Sequence, residues 1–140
     1  MRHFSVELDV AAPRRRVWSV MTDFGGWPDW TPSVTGIEPL DAGPAGAGKR
    51  YRLRQPGFPA AVWEITAYQP ERGFEWVTRR PGTTVFARHR LEENGRGGTR
   101  VTLAVEFTGP FGGMVGWLMR GVNERFLGME ARGLKERVER

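Results

Sequence analysis

A chain of 140 residues is long enough for one domain with its own core and too short for two of ordinary size. With no Cys, and only His3 and His89 as imidazoles, the sequence rules out disulfides, thiolate zinc or iron–sulfur centres, a cysteine nucleophile and a histidine-rich metal site. The net charge of +5 comes from arginines dispersed along the chain, so no basic tail marks a nucleic-acid partner, whereas 16 aromatic residues, six of them Trp, form a real surplus.

Phe4 to Val10 is apolar at every even position, the period of a strand with one buried face. Ala11-Ala12-Pro13 punctuates it, and Pro13 suits the first turn of a helix, where its missing N–H costs nothing. Val17, Val20, Met21 and Phe24 follow at helical spacing with Arg14, Arg15 and Arg16 opposite, so a short amphipathic helix is predicted, ended by Gly25-Gly26. Trp27-Pro28-Asp29-Trp30-Thr31-Pro32 admits a turn or a second short helix. Val34 to Leu40 reads as a strand interrupted at Gly36 and Pro39, and Asp41 to Gly48 as a loop. Strands are then predicted over 50–54, 61–68, 74–78, 85–91 and 101–108, separated by Pro/Gly turns and the glycine-rich hairpin loop Asn94 to Gly98. Their short connections make neighbours antiparallel, a meander.

After Gly109-Pro110 the period changes. Val115, Leu118, Met119, Val122, Phe126 and Met129 repeat at three-and-four spacing, predicting one long helix from about Gly113 to about Arg137. Gly116, Gly121, Gly128 and Gly133 fall inside it, each costing about 1 kcal/mol against Ala. They require close approach to the sheet, room for a ligand, or a tolerant composition. The expected architecture is α+β: a curved seven-stranded antiparallel sheet around a long C-terminal helix, with two short helices after the first strand, as a single domain over residues 1–140.

The order of these elements carries a resemblance. Ala12-Pro13 before Val17-Trp18, Asp23 before Trp27-Pro28-Asp29-Trp30, then Trp63-Glu64-Ile65-Thr66, Pro70, Phe74-Glu75-Trp76 and Gly98-Thr99-Arg100-Val101-Thr102 resemble the START-like (SRPBCC) superfamily, in its polyketide cyclase/dehydrase and lipid-transport branch, over essentially the full length. The resemblance implies the helix-grip fold, with a deep apolar cavity between sheet and helix. It also implies binding of lipids, sterols, polyketides or related metabolites, and, in a minority of members, cyclisation and aromatisation of polyketide chains. Fold alone does not choose among these.

Trp63 and Trp76 lie on successive central strands and read equally as cavity walls or as core packed on the terminal helix. Trp30 belongs to the segment that closes one end of the grip in the family and is expected at a mouth or lid, whereas Trp27 is read as packing. Leu103 and Val105 on the last strand, with Met119, Val122, Asn123 and Phe126 on the terminal helix, complete the expected ligand-binding set, Asn123 as a polar contact. His89 shares the parity of Val85, Ala87 and Leu91, which puts an ionisable ring on the apolar face. It is the one candidate catalytic residue, as general base or as donor to a ligand carbonyl, against the reading of a core histidine satisfied by a neighbour. No Ser, Asp or Glu lies at an obvious pairing distance from it in sequence. Glu64 and Glu75 point away from Trp63, Ile65, Phe74 and Trp76, and are expected to face solvent as partners of Arg52, Arg79 or Arg88.

The leading expectation is binding or transport of a small hydrophobic ligand in an internal cavity, with no cofactor and no metal. A polyketide cyclase or aromatase is the alternative, with an acidic acyl carrier protein docking on the basic surface. An interaction module for an acidic partner is the third. No nucleotide-binding loop, serine elbow or zinc-protease motif is present, and neither a membrane-length apolar run nor a secretory signal, so a cytoplasmic location is expected.

Overall fold

In the computed structural model, which describes residues 2–140, the chain begins with β1 (Arg2–Val10), α1 (Arg14–Met21), a 3-10 turn (Phe24–Gly26) and α2 (Trp27–Trp30). Six further strands follow: β2 (Gly36–Pro39), β3 (Arg50–Arg54), β4 (Ala61–Gln69), β5 (Gly73–Arg80), β6 (Thr83–Glu93) and β7 (Thr99–Thr108). Helices α3 (Gly112–Leu118) and α4 (Arg120–Glu139) close the chain. The strands form one seven-stranded antiparallel sheet in the order β1-β7-β6-β5-β4-β3-β2. β2 to β7 is the expected meander. β1 departs from it, pairing along its whole length with β7, Phe4 opposite Val105 and Val10 opposite Thr99. The α1–α2 excursion carries the chain from one edge of the sheet to the other before the meander starts.

Alternation puts Tyr51 and Leu53 of β3, Phe74 and Trp76 of β5, Val85, Ala87, His89 and Leu91 of β6, and Val101, Leu103 and Phe107 of β7 in the interior. A bulge in β4 gives Thr66 no partner between Ile65, opposite Trp76, and Ala67, opposite Glu75. The extra residue bends the strand and returns Tyr68 to the inner side, where it meets Trp18 at 5.2 Å between ring centroids.

The terminal helix is not continuous, a correction to the expectation of one helix over 113–137. Met119 leaves the helical region (φ −97°, ψ 9°) and divides α3 from α4. Two docking directions explain the break. α3 hugs the end of the sheet, where Gly116 sits against Arg2 and Phe107, and a Cβ added there would lie 2.5 Å from that of Arg2. α4 crosses the sheet over β1 and β7 with Leu127, Ala131, Leu134 and Val138 as its buried stripe. Gly133 has an equally local reason, since its missing Cβ leaves room for the carbonyl of Trp30. Gly121 faces open space and Gly128 meets only the flexible end of Arg132, so composition suffices for those two. Polar bonds fasten the far end of α4 to the end of β1. Lys135 Nζ donates to the Asp9 carbonyl at 2.7 Å, and the Ala11 amide donates to Glu139 Oε2 at 2.7 Å.

Candidate functional site

Between the inner face of the sheet and the α3–α4 kink lie two adjoining chambers. The outer one, about 330 Å³, is walled by Phe58 and Pro59 of the β3–β4 loop, Trp63, Val85 and Phe107 of the sheet, and Val115, Met119, Val122 and Phe126 of the helices. The inner one, about 90 Å³, is walled by Trp27, Trp76, Ala87, His89, Val105, Leu127 and Glu130. Leu53, Gln55, Trp63, Asn123 and Phe126 border both. Phe58 meets Phe126 edge-on across the outer chamber, 6.1 Å between ring centroids, bridging the β3–β4 loop to α4. Larger hollows lie beside Arg14, Arg72 and Glu93 (about 460 Å³) and beside Asp9, Arg96 and Lys135 (about 480 Å³). These are open depressions among charged side chains, without the apolar walls a ligand site needs.

An aromatic cluster supports the inner chamber. Phe24, Trp27, Tyr51, Phe74 and Trp76 interlock at centroid separations such as 5.7 Å for Phe24 with Trp27 and 5.3 Å for Trp27 with Trp76. Burial in this cluster holds the Tyr51 hydroxyl above its ordinary pKa, with Tyr68 adding to the effect. The ring of His89 stacks on Phe74 (4.1 Å, 8° between planes) and is only 4% exposed. Its Nε2 lies 2.9 Å from Glu130 Oε1 on α4. Its Nδ1 has no hydrogen-bond partner, and the same holds for Trp63 Nε1 and Asn123 Nδ2. Trp27 differs, since its Nε1 donates to the Met21 carbonyl at 2.9 Å.

Most of the expected ligand-binding residues converge here. Trp76, His89 and Val105 face the inner chamber, Met119 and Val122 the outer, and Trp63, Asn123 and Phe126 both. Two do not. Trp30 packs against Trp27 and the backbone of Gly133, and borders a separate outer groove with Asp29, Met129 and Arg132, because α2 seals the end of α4 rather than the cavity mouth. Leu103 is fully buried between Val6 of β1 and His89 of β6 in the sheet register and borders neither chamber. Trp27, read as packing, borders the inner chamber while also packing on Trp76. Sequence reading missed Glu130, which stands 41 positions from His89. Its signal was available in helical spacing: Glu130 is i+7 from Asn123 and i+4 from Phe126, so it shares their face. Phe58 was hidden in a turn read for its Pro and Gly residues.

On the outer face of the sheet, Glu75 pairs with Arg88 at 2.6 Å and Glu64 with Arg79 at 3.8 Å, as expected for solvent-side carboxylates, whereas Arg52 pairs with Glu38. Partial burial works against the charge on Arg88. The hydrogen bonds and charges of Glu75 and Glu106 outweigh it and hold the guanidinium above its ordinary pKa. Among the described residues no cluster of His, Asp or Glu has the grouping of a metal site, and no helix is long and apolar enough to cross a membrane.

A curved antiparallel sheet gripping a C-terminal helix over an apolar cavity, with two short helices after the first strand, is the helix-grip architecture of START-like proteins. The model of the family described as polyketide cyclase/dehydrase and lipid transport matches residues 1–139, and the chain belongs to that family. Among solved structures it is similar to the Zhui aromatase/cyclase from Streptomyces sp. R1128, with 22% identity over 99% of this chain and 94% of that one and a TM-score of 0.79. It is also similar to a START superfamily protein from Mycobacterium smegmatis (19% identity, 97% and 98% covered, TM-score 0.70). A hypothetical protein from Helicobacter pylori superposes with a TM-score of 0.84 at 13% identity, covering 99% and 88%. Identities this low establish the fold and not the ligand. No curated protein matches the sequence.

Proposed function

We propose that this protein binds a small, largely apolar molecule, ring-containing or lipid-like, between sheet and helix, and that it acts as a carrier for it. The observation behind this reading is the outer chamber, about 330 Å³ of space with mostly apolar walls, to which Thr78, Thr83 and Arg80 add a polar side, in the size range of small-molecule sites. Protein interiors are otherwise close-packed, and side chains at a void forgo dispersion contacts that an occupant would restore. Native mass spectrometry of freshly expressed protein, with extraction of any retained molecule, tests the reading. So does titration with an apolar fluorescent dye such as Nile red. One dye per chain is expected, lost in Val122→Trp, which fills the chamber. Failure of the folded wild-type protein to retain or bind any apolar molecule would overturn it.

A second reading has one specific observation in its favour. The His89–Glu130 contact, 2.9 Å with the His ring buried and the carboxylate partly so, is the arrangement in which a carboxylate holds one ring nitrogen and leaves the other free to move a proton. In that reading the protein is a polyketide cyclase or aromatase. His89 takes a proton from a methylene flanked by two carbonyls, and the enolate attacks a carbonyl further along the same chain. An acidic acyl carrier protein presenting the chain suits a surface of net charge +5. Unchanged rate and product pattern in His89→Ala, with a presented poly-β-keto chain, would remove this reading and leave the carrier standing.

A further inference from the structure

Among the described residues, three buried side-chain nitrogens have no hydrogen-bond partner: Trp63 Nε1, His89 Nδ1 and Asn123 Nδ2. Native proteins rarely leave such groups unpaired, because each has given up water and gained nothing for it. These three come from β4, β6 and α4, and all three residues border the same inner chamber. We propose that this chamber is a subsite for an uncharged oxygen head group, a hydroxyl next to a carbonyl. The ligand is then an amphiphile seated head inward, with its apolar body in the outer chamber. The inference rests on the reading of the cavity as a ligand site and adds the chemistry and orientation of what enters it.

The hydrogen-bond inventory decides the head group. Trp63 Nε1 and Asn123 Nδ2 only donate, so both need an acceptor oxygen, and one carbonyl has the lone pairs for two donors. The Glu130 carboxylate accepts from His89 Nε2, which leaves Nδ1 as the free position on the ring. That nitrogen accepts in the neutral imidazole and donates in the imidazolium, and a hydroxyl serves either form. A carboxylate or phosphate head does not fit, because no Arg or Lys borders the inner chamber while Glu130 does, and like charges in a low-dielectric space repel strongly. An ammonium head could meet Glu130 but would leave both donors unpaired. The remaining polar residues on the wall impose no contrary demand: Ser33 is bonded to Thr31 at 2.7 Å, and Gln55 is half-buried at the border with the outer chamber. Orientation follows from the walls: all three residues with unpaired nitrogens border the inner chamber, His89 that one alone, while the wall of the outer chamber is mostly apolar, with Thr78, Arg80 and Thr83 its polar exceptions.

The test is displacement of Nile red from the folded protein by three probes on one hydrocarbon chain: 1-hydroxydodecan-2-one, dodecan-2-one and dodecanoate. The hydroxy ketone is expected to displace the dye at concentrations about fivefold lower than the ketone, as the one added hydrogen bond from its hydroxyl to His89 implies, with dodecanoate the weakest. Asn123→Leu removes one donor without touching the His89–Glu130 pair, and Trp63→Phe removes the other. Each should raise the concentration of both ketones needed for displacement by about fivefold, scaled to the dye's own affinity for the same variant, and leave the ratio between the two ketones, which reads the hydroxyl on His89, unchanged. The urea midpoint of Asn123→Leu should hold or rise, since its Nδ2 has no partner to lose. Equal displacement by all three probes, or preference for dodecanoate, with the dye bound normally, overturns the head-group assignment alone. Absence of dye binding and of any retained molecule overturns the cavity reading beneath it.

Discussion

Replacing Glu130 by Leu tests whether the terminal helix is fastened to the inner chamber through His89. The two side chains are 16% and 4% exposed with 2.9 Å between Oε1 and Nε2, so the pair is largely withdrawn from bulk water. A hydrogen bond to a charged group contributes about 1.5–3 kcal/mol net, and truncating one partner also strands the other, so a loss of about 2–3 kcal/mol is expected. For a chain of this size, at about 3–5 °C per kcal/mol, the thermal midpoint should fall by about 6–15 °C. Substituting both partners should be far milder. In His89→Phe with Glu130→Leu, a phenyl ring can keep the stack on Phe74, and removing both members of a buried polar pair is often close to neutral. Urea titrations of the wild type, both single variants and the double variant, followed by tryptophan fluorescence at constant slope, give the coupling energy directly. A loss below about 0.5 kcal/mol in Glu130→Leu, or single effects that add within about 0.3–0.5 kcal/mol, would refute the buried pair.

Three other outcomes are expected. Gly133→Ala should destabilise by about 1–3 kcal/mol, because its methyl group would occupy the place of the Trp30 carbonyl, whereas Gly121→Ala, in open space, should stabilise by up to about 1 kcal/mol; urea midpoints compare them. The Glu139 carboxyl is held below its ordinary pKa by its hydrogen bonds to Lys135 and to the Ala11 amide. A lowered folded pKa means stability that is full above the ordinary carboxylate value of about 4.5 and lost as pH falls through the lower one, so Glu139→Gln should flatten the acid limb of a midpoint-against-pH curve below about pH 4.5. Phe58→Ala removes the ring that bridges the β3–β4 loop to Phe126, and stopped-flow measurements should show Nile red entering and leaving faster.

Much of the fold was legible because strand parity is a local property. Val85, Ala87, His89 and Leu91 alternate with Phe86, Arg88 and Arg90, and the structure buries the first set and leaves the second more accessible. The same parity correctly sent Glu64 and Glu75 to the arginines outside. The helix break at Met119 was not legible, since Val115, Met119, Val122 and Phe126 keep a helical period through it. The direction change comes from what α3 and α4 dock on, which spacing does not encode. Trp30 and Leu103 show a related gap. Both are buried, but period and burial do not distinguish a side chain facing a void from one facing its neighbours.

By itself the sequence determined an all-antiparallel sheet, its inner and outer faces, the closing helical segment and the kinship of the whole, because hydrophobic period and turn chemistry act between residues a few positions apart. The tertiary structure decided which inward residues border open space, that β1 closes on β7, and that His89 has Glu130 as its partner across 41 positions. Those are contacts between elements, set by how two curved surfaces pack and by the space the α3–α4 kink leaves between them.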